Sequence, residues 1–561
     1  MSTPSPWSIW SLGRAYREIV RLLSLPWLVG AVAIRALSDP DRIRLVLGHS
    51  RVDGPTSVAE RIDIAVAGDE LSAAQSLLAT VPHDDPGFDS LTAAVLLAAG
   101  EVSAAEAAAV RARTSGPGSS RRRAARVLRR ARVLREELGV TGPGPVGTTA
   151  EESAVHRRST PAAARPSGGS TPPRILHVVK NSLPYVSAGY TLRTQAILRA
   201  QTDDGMDVRA VTRLGFPVAQ GQMANRVDVV EGVTYHRLLS VTGTNQRAYA
   251  RRLTELARGQ RASVLHAATD HVNGSAARVA SAALGIPFFY EVRGFLEDSW
   301  ASRHGGDARA ELTERYRWSR ARETDVMLAA DGIFTLSQTM ATEIIERGVD
   351  ANRIWVVPNA VDDAYLGPLR DARKAKEQMG LPAARVWVGA ITTLYSFEGI
   401  ANLLTAVRLA RVNGLDVGAV IVGDGPARPE LERMTPDDGS IRWIGRVPRR
   451  RTIDWYDAVD AIVIPRDDHK VTRLVTPLKP VEALSRGKLV IASDLPALRE
   501  ASGGFARFVA AGDADALSRE FALIEENRES GLAGRAWVEN ERRWSRVCAA
   551  YRAAYASVGV G

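Results

Sequence analysis

Lys479 and Glu482 stand three residues apart in the run Thr476-Pro477-Leu478-Lys479-Pro480-Val481-Glu482-Ala483, so one helical turn points both into the same space. A lysine there can neutralise a diphosphate, and a carboxylate can accept hydrogen bonds from ribose or sugar hydroxyls. A surface ion pair worth under about 1 kcal/mol explains the same spacing. Upstream, Ala419 to Pro426 reads as a buried strand ending in the turn Gly423-Asp424-Gly425, where missing side chains let backbone approach a ligand closely. A second strand and turn, Ile441 to Pro448, follows and carries Trp443 and Arg446.

A second group of candidates lies nearer the middle of the chain. Tyr290-Glu291-Val292-Arg293 is followed by Glu297 and Asp298, a set of candidate acids, bases and cations. His266 and His271 fall at and just after another strand. Core packing explains His266 as well as a site does, whereas Asn273-Gly274 and a helix start follow His271, which places it at a loop able to reach a cleft. Ser187 to Thr191, with Gly189 and Tyr190, also opens a helix whose amides could serve a phosphate or an acceptor; simple capping explains it too.

The elements that must position these residues alternate. From Arg174 onward, short β-branched runs are separated by amphipathic helices, which predicts parallel sheets and an α/β fold. The expected strands are 174–179, 208–212, 264–267, 287–291, 332–336 and 354–357 in a first unit, 174–366. Runs at 386–391, 419–422, 441–444, 461–464 and 489–492 follow in a second unit, 367–540. Two such units in succession leave a cleft at the carboxyl ends of their strands, where open α/β sheets bind ligands. Trp544, Val547, Tyr551 and Tyr555 recur at helical spacing and mark an amphipathic terminal helix from Glu539 to Ala556, most of it in a segment 541–561.

The preceding region, 1–140, is read as α-helical. Ala67-Gly68-Asp69 followed by Ser72-Ala73-Ala74 reappears as Ala99-Gly100-Glu101 followed by Ser103-Ala104-Ala105, an offset near that of tetratricopeptide helix pairs. An ordinary alanine-rich bundle fits equally well. Residues 141–173 lose apolar periodicity and fill with Pro, Gly, Ser and Thr, the composition of a flexible linker. Such a linker implies that the helical region and the remainder fold separately.

Bulk composition narrows the classes. The chain has 561 residues, a net charge of +10 and one cysteine, Cys548, which removes disulfide frameworks and cysteine zinc sites; no structural metal is expected. Ten arginines between Arg111 and Arg135 carry much of the excess charge. No aromatic residues interleave them, so a solvated helix face is preferred to nucleic-acid binding. The start of the chain lacks the pattern of a secretory signal, and the apolar stretch Leu22 to Ile34 is broken by Pro26 and shorter than the roughly 20 residues a span needs. With Trp7, Trp10 and Trp27 near it, that stretch could lie in a membrane interface or pack on its own protein. The expected location is cytoplasmic, with peripheral contact at the inner face of the membrane as an option.

From Ile175 to about Tyr555 the sequence resembles family 4 glycosyltransferases of the two-domain GT-B fold, in an ordered series. The segments are Ser187-Ala188-Gly189-Tyr190-Thr191, Leu284-Gly285-Ile286-Pro287, Val357-Pro358-Asn359-Ala360-Val361-Asp362, Gly423-Asp424-Gly425-Pro426 and Lys479-Pro480-Val481-Glu482-Ala483. The Tyr290 to Phe295 segment is similar to a bacterial exopolysaccharide-assembly branch. The resemblance implies two facing Rossmann-like domains, the first for acceptor and the second for a nucleotide-diphosphate sugar. Glu482 would contact the donor ribose, Lys479 would lie near the diphosphate, the amides around Gly425 would face the donor, and Trp443 to Val447 would border the base. It also implies retention at the anomeric carbon without an obligatory metal, no cofactor beyond the sugar nucleotide as co-substrate, and a glycan, lipid-linked or small-molecule acceptor.

Several positions depart from that family's pattern. Position 474 is Leu where the family commonly has a first glutamate eight residues before Glu482, and the loop after the first strand of the second unit holds Thr393 and Glu398 instead of the usual Arg and Lys. Diphosphate binding would then fall to Lys479, with Arg466 or Arg473 and main-chain donors. Arg293 stands where many members carry a histidine near the acceptor. These departures keep two other readings open: an inactive GT-B scaffold, and a sugar-nucleotide epimerase on the same fold.

Overall fold

Runs of Val, Ile and Ala too short for helices and bounded by glycine or polar turns build two parallel sheets in a computed structural model, which describes residues 57–139, 173–240, 245–304, 306–383, 385–435 and 438–560. The first sheet comprises β1 (Arg174–Val179), β2 (Asp207–Thr212), β3 (Val227–Val230), β4 (Val233–Arg237), β5 (Val264–Ala268), β6 (Phe288–Val292), β7 (Gly332–Thr335) and β8 (Ile354–Val356). Their order is β3-β4-β2-β1-β5-β6-β7-β8, and only the β3–β4 pair is antiparallel. The second comprises β9 (Val386–Ile391), β10 (Val417–Val422), β11 (Ile441–Gly445), β12 (Ala461–Ile464), β13 (Leu489–Ser493) and β14 (Arg507–Val509), ordered β11-β10-β9-β12-β13-β14 and parallel throughout. Helices cover both faces of each sheet, which is why the central strands are apolar at every position rather than at alternate ones.

All eleven expected strands are present, with ends displaced by a few residues at most. The β3–β4 hairpin and the edge strand β14 were not anticipated. The hairpin's signal is Glu231-Gly232 between two valine-rich runs, and both residues take positive φ, as a two-residue turn with the sheet's own twist requires.

The chain crosses between the two units twice, and the crossings lie side by side: the Val361 amide donates to the Arg542 carbonyl at 2.9 Å. The terminal segment is helical as expected but broken, ending one helix at Glu541 and resuming as Trp544–Val547 and Ala549–Ser557. Trp544, Cys548, Tyr551 and Tyr555 are buried in the core of the first unit against Ile197, Phe289 and Phe334. The last residues thus complete the first sheet's packing.

In the N-terminal unit, two helix hairpins, Val58–Ala67 with Leu71–Leu78 and Phe88–Ala98 with Val102–Ser115, stack beside a longer helix, Gly118–Glu137. The matching turns differ in detail, since positive φ falls on Asp69 in one and on Gly100 in the other. The apolar stretch 22–34 and the linker, apart from Pro173, lie outside the described residues. The helical region, expected to fold separately, packs directly on the first α/β domain. The Ser103 amide and hydroxyl both donate to the Glu314 carboxylate at 2.6 Å, His304 Nε2 lies 2.7 Å from Asp69 Oδ1, and Arg135 covers the buried Trp318 ring. Gly100 sits so close to Trp300 that a Cβ would meet the ring at 2.7 Å. Among the described residues no helix is long and apolar enough to cross a membrane.

Candidate active site in the interdomain cleft

Loops leaving the carboxyl ends of both sheets meet at one cleft. Gly189, which opens the helix Gly189–Asp203 after β1, lies so near the second unit that a Cβ on it would touch Leu478 Cδ1 at 3.8 Å. Gly294, just after β6, stands equally close to Val475, and Asn359 Nδ2 donates to the Thr476 carbonyl at 3.0 Å. Leu474 packs against the apolar core of the first unit, so at this position an aliphatic side chain fills the domain boundary.

On the second unit, Glu482 lies in the first turn of the helix Lys479–Ser485 and is buried. Its Oε2 accepts from the Tyr456 hydroxyl at 2.9 Å, and its Oε1 is 3.6 Å from Arg449, which also binds Asp362 at 2.9 Å. Burial and the Glu482 charge raise the Tyr365 phenol well above its ordinary range, so both tyrosines stay neutral donors. The carboxylate keeps further acceptor capacity for hydroxyls entering the cleft. Arg449, Tyr456, Tyr365 and Asp362 were not singled out from sequence; only their approach in space marks them.

Lys479 does not point freely into the cleft. Its Nζ donates to Glu398 Oε2 at 2.7 Å, and Arg466 donates to the other oxygen of the same carboxylate at 3.0 Å. Burial works against the Glu398 charge, but the two cations outweigh it and hold its pKa at about 2. Arg473, the alternative cation, pairs instead with Asp468 on the exposed side.

The glycine turn is shaped by backbone packing. At φ +135° a side chain on Gly423 would collide with the Thr392 carbonyl at 1.7 Å, and one on Gly425 would strike the Leu394 backbone at 2.5 Å. Of the amides expected to face the donor, that of Gly425 donates to Asp424 Oδ1 at 2.9 Å. Thr393 and Arg446 are exposed on loops after β9 and β11. Trp443 is half-buried on β11 and donates its indole N–H to Thr435 at 3.2 Å.

The first unit contributes the ends of β1, β2, β5 and β6. Arg293 donates to Glu291 at 2.6 Å and to the Tyr190 carbonyl at 3.0 Å, so it bridges the strand end to the helix start. Glu291 and His266 are fully buried and reach no cleft, which corrects their assignment as groups that meet an acceptor. Glu291 compensates both Arg193 and Arg293, while the His266 ring lies tilted against His177, centroids 4.4 Å apart, and hydrogen-bonds the Tyr555 hydroxyl at 2.7 Å. Glu297 is likewise buried, paired with Arg347, and Asp298 is held by Tyr316. His271 starts a helix beside Glu323; burial opposes its charged form, but the Glu323 carboxylate prevails and raises its pKa. Lys180, Arg213 and Asp270 join it: Asp270 pairs with Arg213 and lies 3.4 Å from Lys180. Sequence reading passed over these three, although each follows directly or closely on a strand end. Tyr190 is exposed at the cleft mouth, its hydroxyl 2.7 Å from Asn181 Nδ2.

Two facing doubly wound sheets with a cleft at their carboxyl edges define a GT-B protein. Residues 188–360 match the family model described as a glycosyl transferase 4-like domain, and residues 385–527 match that of glycosyl transferases group 1, together more than half of the chain. The chain belongs to the family 4-type glycosyltransferases. It is 29% identical over 194 residues to a D-inositol 3-phosphate glycosyltransferase of Xylanimonas cellulosilytica, covering 32% of this chain and 44% of that protein. It is 25% identical over 324 residues to a 2-deoxystreptamine glucosyltransferase of Streptomyces kanamyceticus, covering 54% and 81%. The match to the inositol enzyme therefore spans less than half of that relative's length. In fold, the chain is similar to a Rickettsia africae glycosyltransferase (TM-score 0.54, 16% identity, 69% of this chain and 99% of that one). It is also similar to Anabaena Alr3699/HepE solved with UDP (TM-score 0.54, 15% identity, 68% and 100%).

Proposed function

We propose that the chain transfers a hexosyl group, with retention at the anomeric carbon, from a nucleotide-diphosphate sugar bound on residues 367–540 to a hydroxyl of an acceptor bound on residues 174–366. The observation that carries this reading is the buried Glu482 beside the Lys479–Glu398–Arg466 cluster, at the carboxyl ends of the second sheet and opposite the strand ends of the first. Glu482 accepts ribose hydroxyls. In the transfer, the bond from the anomeric carbon to the diphosphate oxygen breaks, and a bond to the acceptor oxygen forms. The hydroxyl proton leaves with the diphosphate or to solvent. Lys479 and Arg466 lie where negative charge develops on the departing group, and fixed cations in a site shielded from water stabilise such charge without reorganising. The UDP of the Anabaena neighbour, and the relatives named as a D-inositol 3-phosphate glycosyltransferase and a 2-deoxystreptamine glucosyltransferase, support this class of reaction.

Tyr190, Arg293, His271, Lys180 and Arg213 line the acceptor side in this reading. A role in polysaccharide assembly on a lipid-linked acceptor, with the N-terminal region at the inner membrane face, rests on the resemblance and on the apolar and arginine-rich segments of the sequence. The test is a donor screen of the full chain against UDP-, GDP- and ADP-sugars, read by thermal shift and by mass spectrometry of products. A stabilising donor whose effect disappears in Glu482→Ala supports the reading; no binding to any donor sinks it, and binding with only an epimerised donor as product moves the protein to epimerase chemistry.

A further inference from the structure

Three segments that are distant in sequence deliver Glu398, Lys479 and Arg466 to one point. Glu398 ends the loop after β9, Arg466 follows β12, and Lys479 begins the helix that precedes β13. The loops are pinned to each other independently of the charges. The Asp467 amide donates to the Phe397 carbonyl at 3.0 Å, and Gly399, at φ +69°, lies so close that a Cβ would overlap the Pro465 carbonyl at 1.7 Å. Glu398 therefore cannot drift from Arg466 without opening both loops. The cluster carries two positive charges and one negative, all three side chains being less than one-fifth exposed. Arg466 also donates from Nη1 to the Val475 carbonyl at 3.0 Å, so what a ligand can still engage is the remaining protons of Lys479 Nζ and of the Arg466 terminal nitrogens.

We infer that Glu398 is a positioning residue for the departing diphosphate: it locks Lys479 and Arg466 into one cationic clamp whose surplus positive charge faces the nucleotide. The inference deepens the donor reading and rests on it. Without the carboxylate, two cations brought together by loops that cannot separate would repel each other, and a buried lysine would shed its proton. The groups facing Lys479 are Glu398, Arg466 and Glu482; burial lowers its pKa, Glu398 raises it, Arg466 lowers it and Glu482 raises it. Removing the Glu398 charge therefore moves Lys479 toward the neutral amine.

The test uses the full chain as wild type, Glu398→Gln and Glu398→Asp, each shown to be folded by its melting curve. Two quantities are read from pH 6 to 10: carbamoylation of Lys479 by cyanate, followed by peptide mass spectrometry, and calorimetric binding of UDP, GDP and ADP. In Glu398→Gln the labelling midpoint is expected to fall by about one pH unit or more, and affinity for the preferred nucleotide at pH 8 to fall about tenfold or more. Glu398→Asp keeps the charge and is expected to keep the midpoint. In the double variant Glu398→Gln with Lys479→Arg, whose guanidinium does not deprotonate, the alkaline loss of binding is expected to vanish. A labelling midpoint unchanged in Glu398→Gln overturns the inference, as does nucleotide affinity equal to wild type across the pH range. If the wild type binds none of the three nucleotides, the donor reading itself is overturned, a result distinguishable from the other two because it appears before any substitution.

Discussion

The Tyr456 hydroxyl stands 2.9 Å from Glu482 Oε2, joining the helix that follows β11 to the helix that precedes β13. Two segments that sequence separates thus present one oriented carboxylate to the cleft. Glu482→Ala is expected to lower kcat/KM for the donor by at least about thirtyfold, since it deletes charge-assisted hydrogen bonds to the ligand, whereas Tyr456→Phe, which removes only an orienting donor, should cost less than tenfold. Steady-state kinetics with the donor found by screening decides this; equal losses in both variants would mean that orientation, not contact, dominates.

Acid should act on the loops of the second unit through Glu398. Its folded pKa of about 2 lies below the ordinary 4.5, so the carboxylate contributes stability that is present above about pH 4.5 and is lost as pH falls toward 2. The contribution is on the order of 3 kcal/mol. Urea unfolding of wild type and Glu398→Gln between pH 3 and pH 7 should show the gap between them narrowing as pH falls; a gap independent of pH would contradict the assignment.

Gly399→Ala combines positive φ with a collision at the Pro465 carbonyl. It should cost at least about 2 kcal/mol and lower the melting temperature. Gly414→Ala, also at positive φ but with nothing within 4 Å, isolates the backbone contribution and should cost less.

A chain starting at residue 173 loses the cover over Trp300 and Trp318 and the partners of Glu314 and His304. Its melting temperature is expected to drop by about 5 °C, and it should bind an apolar dye that the full chain does not. Identical melting and no dye binding would show that the helical unit adds nothing to the domain beneath it.

The parallel strands were legible in the sequence because each is a short apolar run between turn residues, and that pattern survives whatever the neighbours do. Gly423, Lys479 and Glu482 were legible as a motif in order. What Lys479 touches was not, because Glu398 lies 81 positions away and only the sheet order β10-β9-β12-β13 brings their loops together. His266 and Glu291 looked available because they are polar and lie on strands that lead to the cleft. Tyr551 and Tyr555, which arrive from the far end of the chain, close over them together with His177, Phe334 and Arg193. The docking of the helical unit was hidden for a similar reason: Ser103 and Glu314 are ordinary surface types, and 211 positions separate them.

The placement of Trp544, Tyr551 and Tyr555 in the core of the first α/β unit has a consequence for the order in which the protein is made. Residues 174–360 leave the ribosome long before residue 544 is synthesised, yet Phe289 and Phe334, which stack on each other, lack Tyr551 and Tyr555 until the terminal segment arrives. The first α/β domain is therefore completed last, after the second has had time to form around its own core. A nascent chain halted before residue 544 would hold a finished second domain and a first one with an open apolar face, the state in which a chaperone would be expected to meet it.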